Sequence, residues 1–180
     1  FHNLINSNFG NIKFENIIFT SKNKFSLSIN NKLKLKNLVI KSELLVDETK
    51  YIKPNLLNDY FIEAKEVIYL KDHKINLKYE KDNLSLKGSG KIQLEKNYDE
   101  IDYTISKIGE KINFVTNLIS NKTSFKIDNI NYKKEKDSKL ELTASGNYEK
   151  TNGLDLDLLT VLAKDNKIKL RNLQIDRYKK

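Results

Sequence analysis

Four octapeptides of one form constrain this chain more than anything else in it. They are residues 12–19 (IKFENIIF), 33–40 (LKLKNLVI), 125–132 (FKIDNINY) and 168–175 (IKLRNLQI). The form is apolar, Lys, apolar, charged, Asn, apolar, any, apolar. Its first half alternates apolar with charged, the period of a strand with one face buried. Its last apolar pair has the opposite parity, which a regular strand would turn to the other face. One extra residue at the charged–Asn pair restores the phase, so a β-bulge is expected there. Asn suits the position because its amide bonds locally to backbone and it tolerates unusual φ and ψ. The copies begin 21, 92 and 43 residues apart, near multiples of a unit of about 21. Residues 62–69 (IEAKEVIY) form a degenerate copy with Glu66 in place of Asn, delayed by an insertion over 54–61. A unit of about 21 residues holds two strands and two turns, a hairpin.

Further strands are expected at 24–29, 32–46, 62–70, 74–79, 84–87, 91–95, 101–106, 111–119, 124–132, 139–148, 154–163 and 167–177. Turn signals separate them, among them Asn30-Asn31, Lys71-Asp72, Lys81-Asp82-Asn83 and Gly109-Glu110. Connections this short hold no crossover helices, so the sheet must be largely antiparallel. Gly88-Ser89-Gly90 reads as a bend or bulge between strands. Pro54 can open a short helix over 54–61, with Leu56, Leu57, Tyr60 and Phe61 on its apolar side. The expected fold is all-β: repeated antiparallel hairpins in a curled sheet, groove or flattened barrel, with one short helix. The whole of residues 1–180 reads as one β-rich segment.

The apolar residues make one stripe per strand. The candidate lining is Ile75, Leu77 and Tyr79; Leu84 and Leu86; Ile92 and Leu94; Ile101, Tyr103 and Ile105; Ile112 and Phe114; Leu140 and Leu142. Leu154, Leu156 and Leu158 continue the pattern. The alternate residues are Lys, Asp, Ser, Asn and Glu. A sheet wet on one side must bury the other against something. It folds into a sandwich, closes into a barrel, or curls into a gutter whose apolar floor holds a ligand.

Chemistry is thinly represented. The chain has no Cys, which excludes disulfides and thiolate chemistry. His2 and His73 are isolated, in what read as a tail and a turn, without metal-ligand spacing. Asp155 and Asp157 alternate on a strand and read as an exposed polar face. No catalytic residue, metal site or cofactor is expected. The net charge is +9, but the lysines alternate with apolar residues and spread along the chain. A nucleic-acid footprint would cluster, so a solvated strand face is the better reading and no nucleic-acid partner is expected. The chain begins at Phe1 and has no Met, so a longer parent chain is expected.

The segments LSLKGSGKIQL (84–94), IDYTI (101–105), FKIDNINY (125–132) and KLELTASGNY (139–148), with the octapeptide at 168–175, resemble the AsmA-like repeat proteins, which include the TamB-type envelope proteins. Residues 1–61 share the likeness only through their two octapeptides. The resemblance implies a β-groove anchored in the inner membrane of Gram-negative bacteria through parts of the protein absent here. It implies a periplasmic location and phospholipid carried or shielded between inner and outer membranes. No catalytic step is implied. The alternatives are a jelly-roll bridge for lipopolysaccharide and a non-catalytic structural or adhesive β-sandwich.

Overall fold

The computed structural model describes residues 13–52, 60–134, 137–149, 151–163 and 166–175, and 78% of the described residues lie in strands. The strands are β1 (Lys13–Ile29), β2 (Leu35–Ile52), β3 (Val67–Glu80), β4 (Asn83–Gln93), β5 (Tyr98–Ile108), β6 (Lys111–Ser120), β7 (Phe125–Ile127), β8 (Tyr132–Lys134), β9 (Leu140–Glu149), β10 (Gly153–Ala163) and β11 (Asn166–Ile175). Nine of them form one antiparallel sheet in the order β1-β2-β3-β4-β5-β6-β9-β10-β11, and β7 and β8 form a small hairpin of their own. Sheet order is therefore chain order, interrupted only by that hairpin. Connections as short as residues 81–82 and 109–110 permit nothing else. The sheet does not close. β1 and β11 are its edges, with no ladder between them among the described residues.

Three of the four octapeptides carry the expected irregularity. Asn16, Asn37 and Asn172 have φ of 53°, 49° and 53°. The β1–β2 register shifts between Glu15 and Ile18, and again between Ser26 and Ser28 opposite Asn37. β11 keeps register with β10 at Asn172 because β10 has its own extra residue, at Asp157, against β9. Left-handed backbone costs most L residues about 1–2 kcal/mol, and Asn and Asp offset part of that by local hydrogen bonding. The fourth copy behaves differently. Asp128–Ile130 is one turn of 3-10 helix, Asn131 is the left-handed residue, and the chain reverses from β7 into β8.

Other expectations need correction. The degenerate copy at 62–69 makes no bulge, because β3 begins only at Val67. The β3 bulge lies instead at Asp72, φ 55°, where the β3–β4 register shifts between Lys71 and Lys74. Lys71-Asp72 is thus inside one long strand and not a turn between two. Gly88-Ser89-Gly90 likewise runs inside β4. Hairpins do not recur every 21 residues: β5 and β6 span 98–120, whereas β1 and β2 span 13–52. Of the helix expected over 54–61, residues 54–59 lie outside the described residues. Tyr60 and Phe61 are not helical, and no α-helix occurs among the described residues.

The β10 bulge also explains a glycine. A Cβ on Gly146 would stand 2.0 Å from the Asp155 carbonyl oxygen and 3.0 Å from Leu156 Cα. Both obstacles are backbone, so neither rotates away. Gly146→Ala is expected to lower stability by about 1–3 kcal/mol through overpacking. Urea unfolding of the two proteins checks this, and an unchanged midpoint would mean that β9 and β10 separate freely.

Candidate functional site

Opposed residues of an antiparallel pair share a face, so the register traces rows across the sheet. One row is Phe25, Ile40, Tyr79, Leu84, Lys107, Ile112, Tyr148 and Leu154. The next is Leu77, Leu86, Ile105, Phe114, Gly146 and Leu156. A third is Leu44, Ile75, Gly88, Tyr103, Thr116, Ala144 and Leu159. A fourth is Ile101, Leu118, Leu142, Val161 and Ile168. These rows make one apolar inner face. Every sequence-predicted lining residue lies on it, with Ile92 pairing Asp99, Leu140 pairing Ser120, and Leu94 just beyond β4. Leu158 does not lie on it. The bulge at Asp157 pairs Leu158 with Ser145 and gives its place to Leu159.

Among the described residues, the inner face is covered at one end only. Residues 60–66, the 94–97 turn and the β7–β8 hairpin close over that end. Their core joins Phe61, Ile68, Leu94, Leu118, Phe125, Ile127, Leu140, Val161 and Ala163, with Ile92, Ile101 and Leu142 packed against it. The rings of Phe61 and Phe125 lie 5.4 Å apart, and Lys126 N–H donates to the Tyr60 carbonyl at 2.8 Å. Ile92, Leu94, Ile101, Leu140 and Leu142 are therefore domain core. Ile75, Leu77, Tyr79, Leu86, Tyr103, Ile105, Ile112 and Phe114 are only half-buried in the uncovered part, with Leu84 buried among them.

A buried polar cluster ties the cap down. Glu95, on the 94–97 turn, accepts from Ser124 Oγ at 2.5 Å, Ser124 N–H at 3.3 Å and Glu63 N–H at 3.1 Å. Asp99 at the start of β5 accepts from Thr123 Oγ1 at 2.5 Å, and Lys134 of β8 donates to the Thr123 carbonyl at 2.5 Å. Burial raises the Asp99 pKa, against the pull of Thr123, Ser120 and Lys134. Burial lowers that of Lys134, against Asp99, Glu95 and Asp137. All the partners belong to the cap and its seat, so the cluster fastens the one to the other. Among the described residues no three metal-ligating side chains gather.

His73 is not in a turn but mid-strand and 3% exposed. Its Nε2 lies 3.0 Å from the Lys91 carbonyl, which only accepts, so Nε2 carries the proton. Nδ1, 3.0 Å from Tyr103 Oη, then accepts from that hydroxyl. Gly88 and Gly90 make the room: a Cβ at Gly90 would meet the His73 ring at 2.4 Å, and one at Gly88 the Tyr103 ring at 2.6 Å. Burial pushes the Tyr103 phenol up to about 12. Sequence reasoning missed this pair because it broke the chain at Lys71-Asp72, and missed the Glu95–Asp99–Lys134 cluster because its members come together only through tertiary packing of separate elements. The Gly-x-Gly spacing, with both glycines on one strand face, was the available signal for a close approach.

No known family, curated protein or solved structure matches the chain.

Burial lowers the His73 pKa below its ordinary 6.5, against the Lys91 carbonyl and the Asp72 charge. The unfolded chain then binds this proton more readily than the folded one, so stability is fully present above pH 6.5 and falls as pH drops below it. Unfolding free energies between pH 7.5 and about pH 5.5 should show this decline, and His73→Phe should flatten it. An equal slope in the variant would place the proton uptake elsewhere.

Proposed function

We propose that this sheet is a segment of a periplasmic groove protein that carries or shields phospholipid between the inner and outer membranes. The observation that supports it most is the uncovered half of the inner face. Leu77, Leu86, Ile105 and Phe114 form a continuous row through the middle of a nine-stranded sheet, yet each is only half-buried. Acyl chains laid along that row would remove its remaining apolar surface from water, at about 25 cal/mol per Å². The capped end would form a floor stop, and the opposite end, where the row reaches the hairpin tips, an entrance. The polar outer face, with Lys74, Asn76 and Lys78 on β3 and Ser85, Lys87 and Ser89 on β4 all exposed, would remain in solvent. Strand order equal to chain order favours a groove over the jelly-roll bridge, whose Greek keys interleave two sheets.

The test is lipid extraction from protein purified natively from a bacterial envelope, beside a similarly basic β-protein. Phospholipid at about one molecule or more per chain is expected, on the ground that a groove of this kind buries most of its ligand. Leu86→Asp or Phe114→Asp should reduce it severalfold while far-ultraviolet circular dichroism stays unchanged. An extract no richer than the control would move the reading to a structural sheet whose floor meets protein.

A further inference from the structure

The β1–β2 hairpin overhangs the sheet. β3 pairs with β2 no farther toward the tip than Val39↔Glu80, so residues 35–38 of β2 pair with β1 alone. On this overhang Phe25, Leu27, Ile29 and Leu35 are 52–66% exposed, and Leu33 is 87% exposed. Phe25 opposes Ile40 and Ile29 opposes Leu35, so these residues continue the inner apolar face beyond the sheet. Lys24 opposes Lys41 and Lys36 opposes Ser28, on the other face. The tip is thus an amphipathic β-hairpin, apolar on one side and basic on the other.

Two further observations bear on what covers it. The first is charge. Between Glu15 and Glu43 there is no acidic residue, and Lys24, Lys32, Lys34, Lys36 and Lys41 lie there, with Lys22 facing Glu43 across the β1–β2 pair. Lys32, Lys34 and Lys36 stand beside the most exposed apolar residue, Leu33. The second is a built tip. Asn30 Oδ1 accepts from Lys32 N–H at 3.0 Å and Lys34 N–H at 2.9 Å, and Leu33 N–H donates to the Asn30 carbonyl at 2.9 Å. Asn37 Nδ2 donates to Ser28 Oγ, which donates to the Lys36 carbonyl, both at 3.1 Å, across the neck. Leu33 itself is left-handed, φ 58°. A bulky apolar residue in a left-handed conformation, almost fully in water, gains no burial within the described fold.

We infer that the β1–β2 tip is a membrane-surface anchor that inserts Leu33 and its apolar neighbours among the acyl chains of an anionic bilayer. The flanking lysines reach the headgroups on their own side, their methylene stems lying along the boundary. A protein groove would supply the apolar half of this complement, but it would not need the run Lys32, Lys34 and Lys36 around the tip. The inference goes beyond the groove reading and stands without it, since a surface anchor requires no lipid in the sheet.

The chain has no Trp, so Leu33→Trp gives a single fluorophore at a position where the fold makes few demands. Vesicles of phosphatidylglycerol and phosphatidylcholine are titrated in, with pure phosphatidylcholine vesicles and a Val115→Trp protein, labelled on the outer face, as controls. A blue shift of Leu33→Trp on anionic vesicles alone, weakened by salt, is expected. Lys32→Gln, Lys34→Gln and Lys36→Gln together should lower vesicle affinity on the order of 100-fold, about fivefold for each lysine. Leu33→Asp with Leu35→Asp should abolish cosedimentation while circular dichroism is unchanged. No shift on anionic vesicles overturns the proposal. So does an equal shift on neutral vesicles, or a shift that rises with protein concentration in the absence of vesicles, which would make a second copy the occupant. Lipid-free extracts with intact vesicle binding would remove the groove reading and leave this one standing.

Discussion

A single antiparallel sheet has two faces and, in water, can leave only one of them wet. Everything else in this molecule answers that constraint. The chain alternates apolar with polar residues along nine strands, which commits one face to burial. Among the described residues it supplies cover for one end: Phe61, the 94–97 turn and the β7–β8 hairpin. At that end Leu140 and Val161 are fully buried, and the backbone and carboxylates of the cap are satisfied by one another. Elsewhere the same rows continue without a second layer among the described residues. The described segments that leave the meander, 60–66 and the β7–β8 hairpin, both return over that same end.

The Asn and Asp residues steer that sheet. A bulge moves every following side chain to the other face. Asn16, Asp72 and Asn172 each sit at such a reversal, and each is left-handed. Where both strands of a pair carry such a step the pairing returns to register, and where one alone does the register shifts by a residue. β1, β2 and β3 carry such steps at Asn16, Asp47 and Asp72, and β10 and β11 at Asp157 and Asn172. β4, β5, β6 and β9 have no such step in their mutual pairing and remain regular. The bulges thus let β1, β2 and β3 run for 17, 18 and 14 residues, lengths that β4, β5, β6 and β9 do not reach.

The sequence shows the strand period, the antiparallel class, the apolar face and the Asn bulges, because each is a local property of a few neighbouring residues. It does not separate core from open floor. Leu142 and Leu86 lie in stretches of the same alternating form, 139–146 (KLELTASG) and 83–90 (NLSLKGSG), yet Leu142 packs against the capped core and Leu86 does not. The Asp72 bulge was legible only as a break, since a left-handed Asp serves a turn and a bulge equally well. That single ambiguity moved His73 from a buried strand position to an exposed one and hid its contact with Tyr103. Repeat spacing misled for a related reason: in the copy at 125–132 the marked Asn129 falls in a 3-10 turn, the left-handed residue is Asn131 two places on, and the chain reverses there.

The inner face, as far as the described residues form it, is dry at one end and open at the other. The absence of native Cys allows it to be measured by single cysteine substitutions and a water-soluble maleimide. Leu77→Cys, Leu86→Cys and Phe114→Cys should be modified in the native protein, at rates within about tenfold of the unfolded chain. Leu140→Cys and Val161→Cys should react only when the protein unfolds, with the rate set by global stability. Equal protection at all five positions would contradict the account and require a second layer over the whole face.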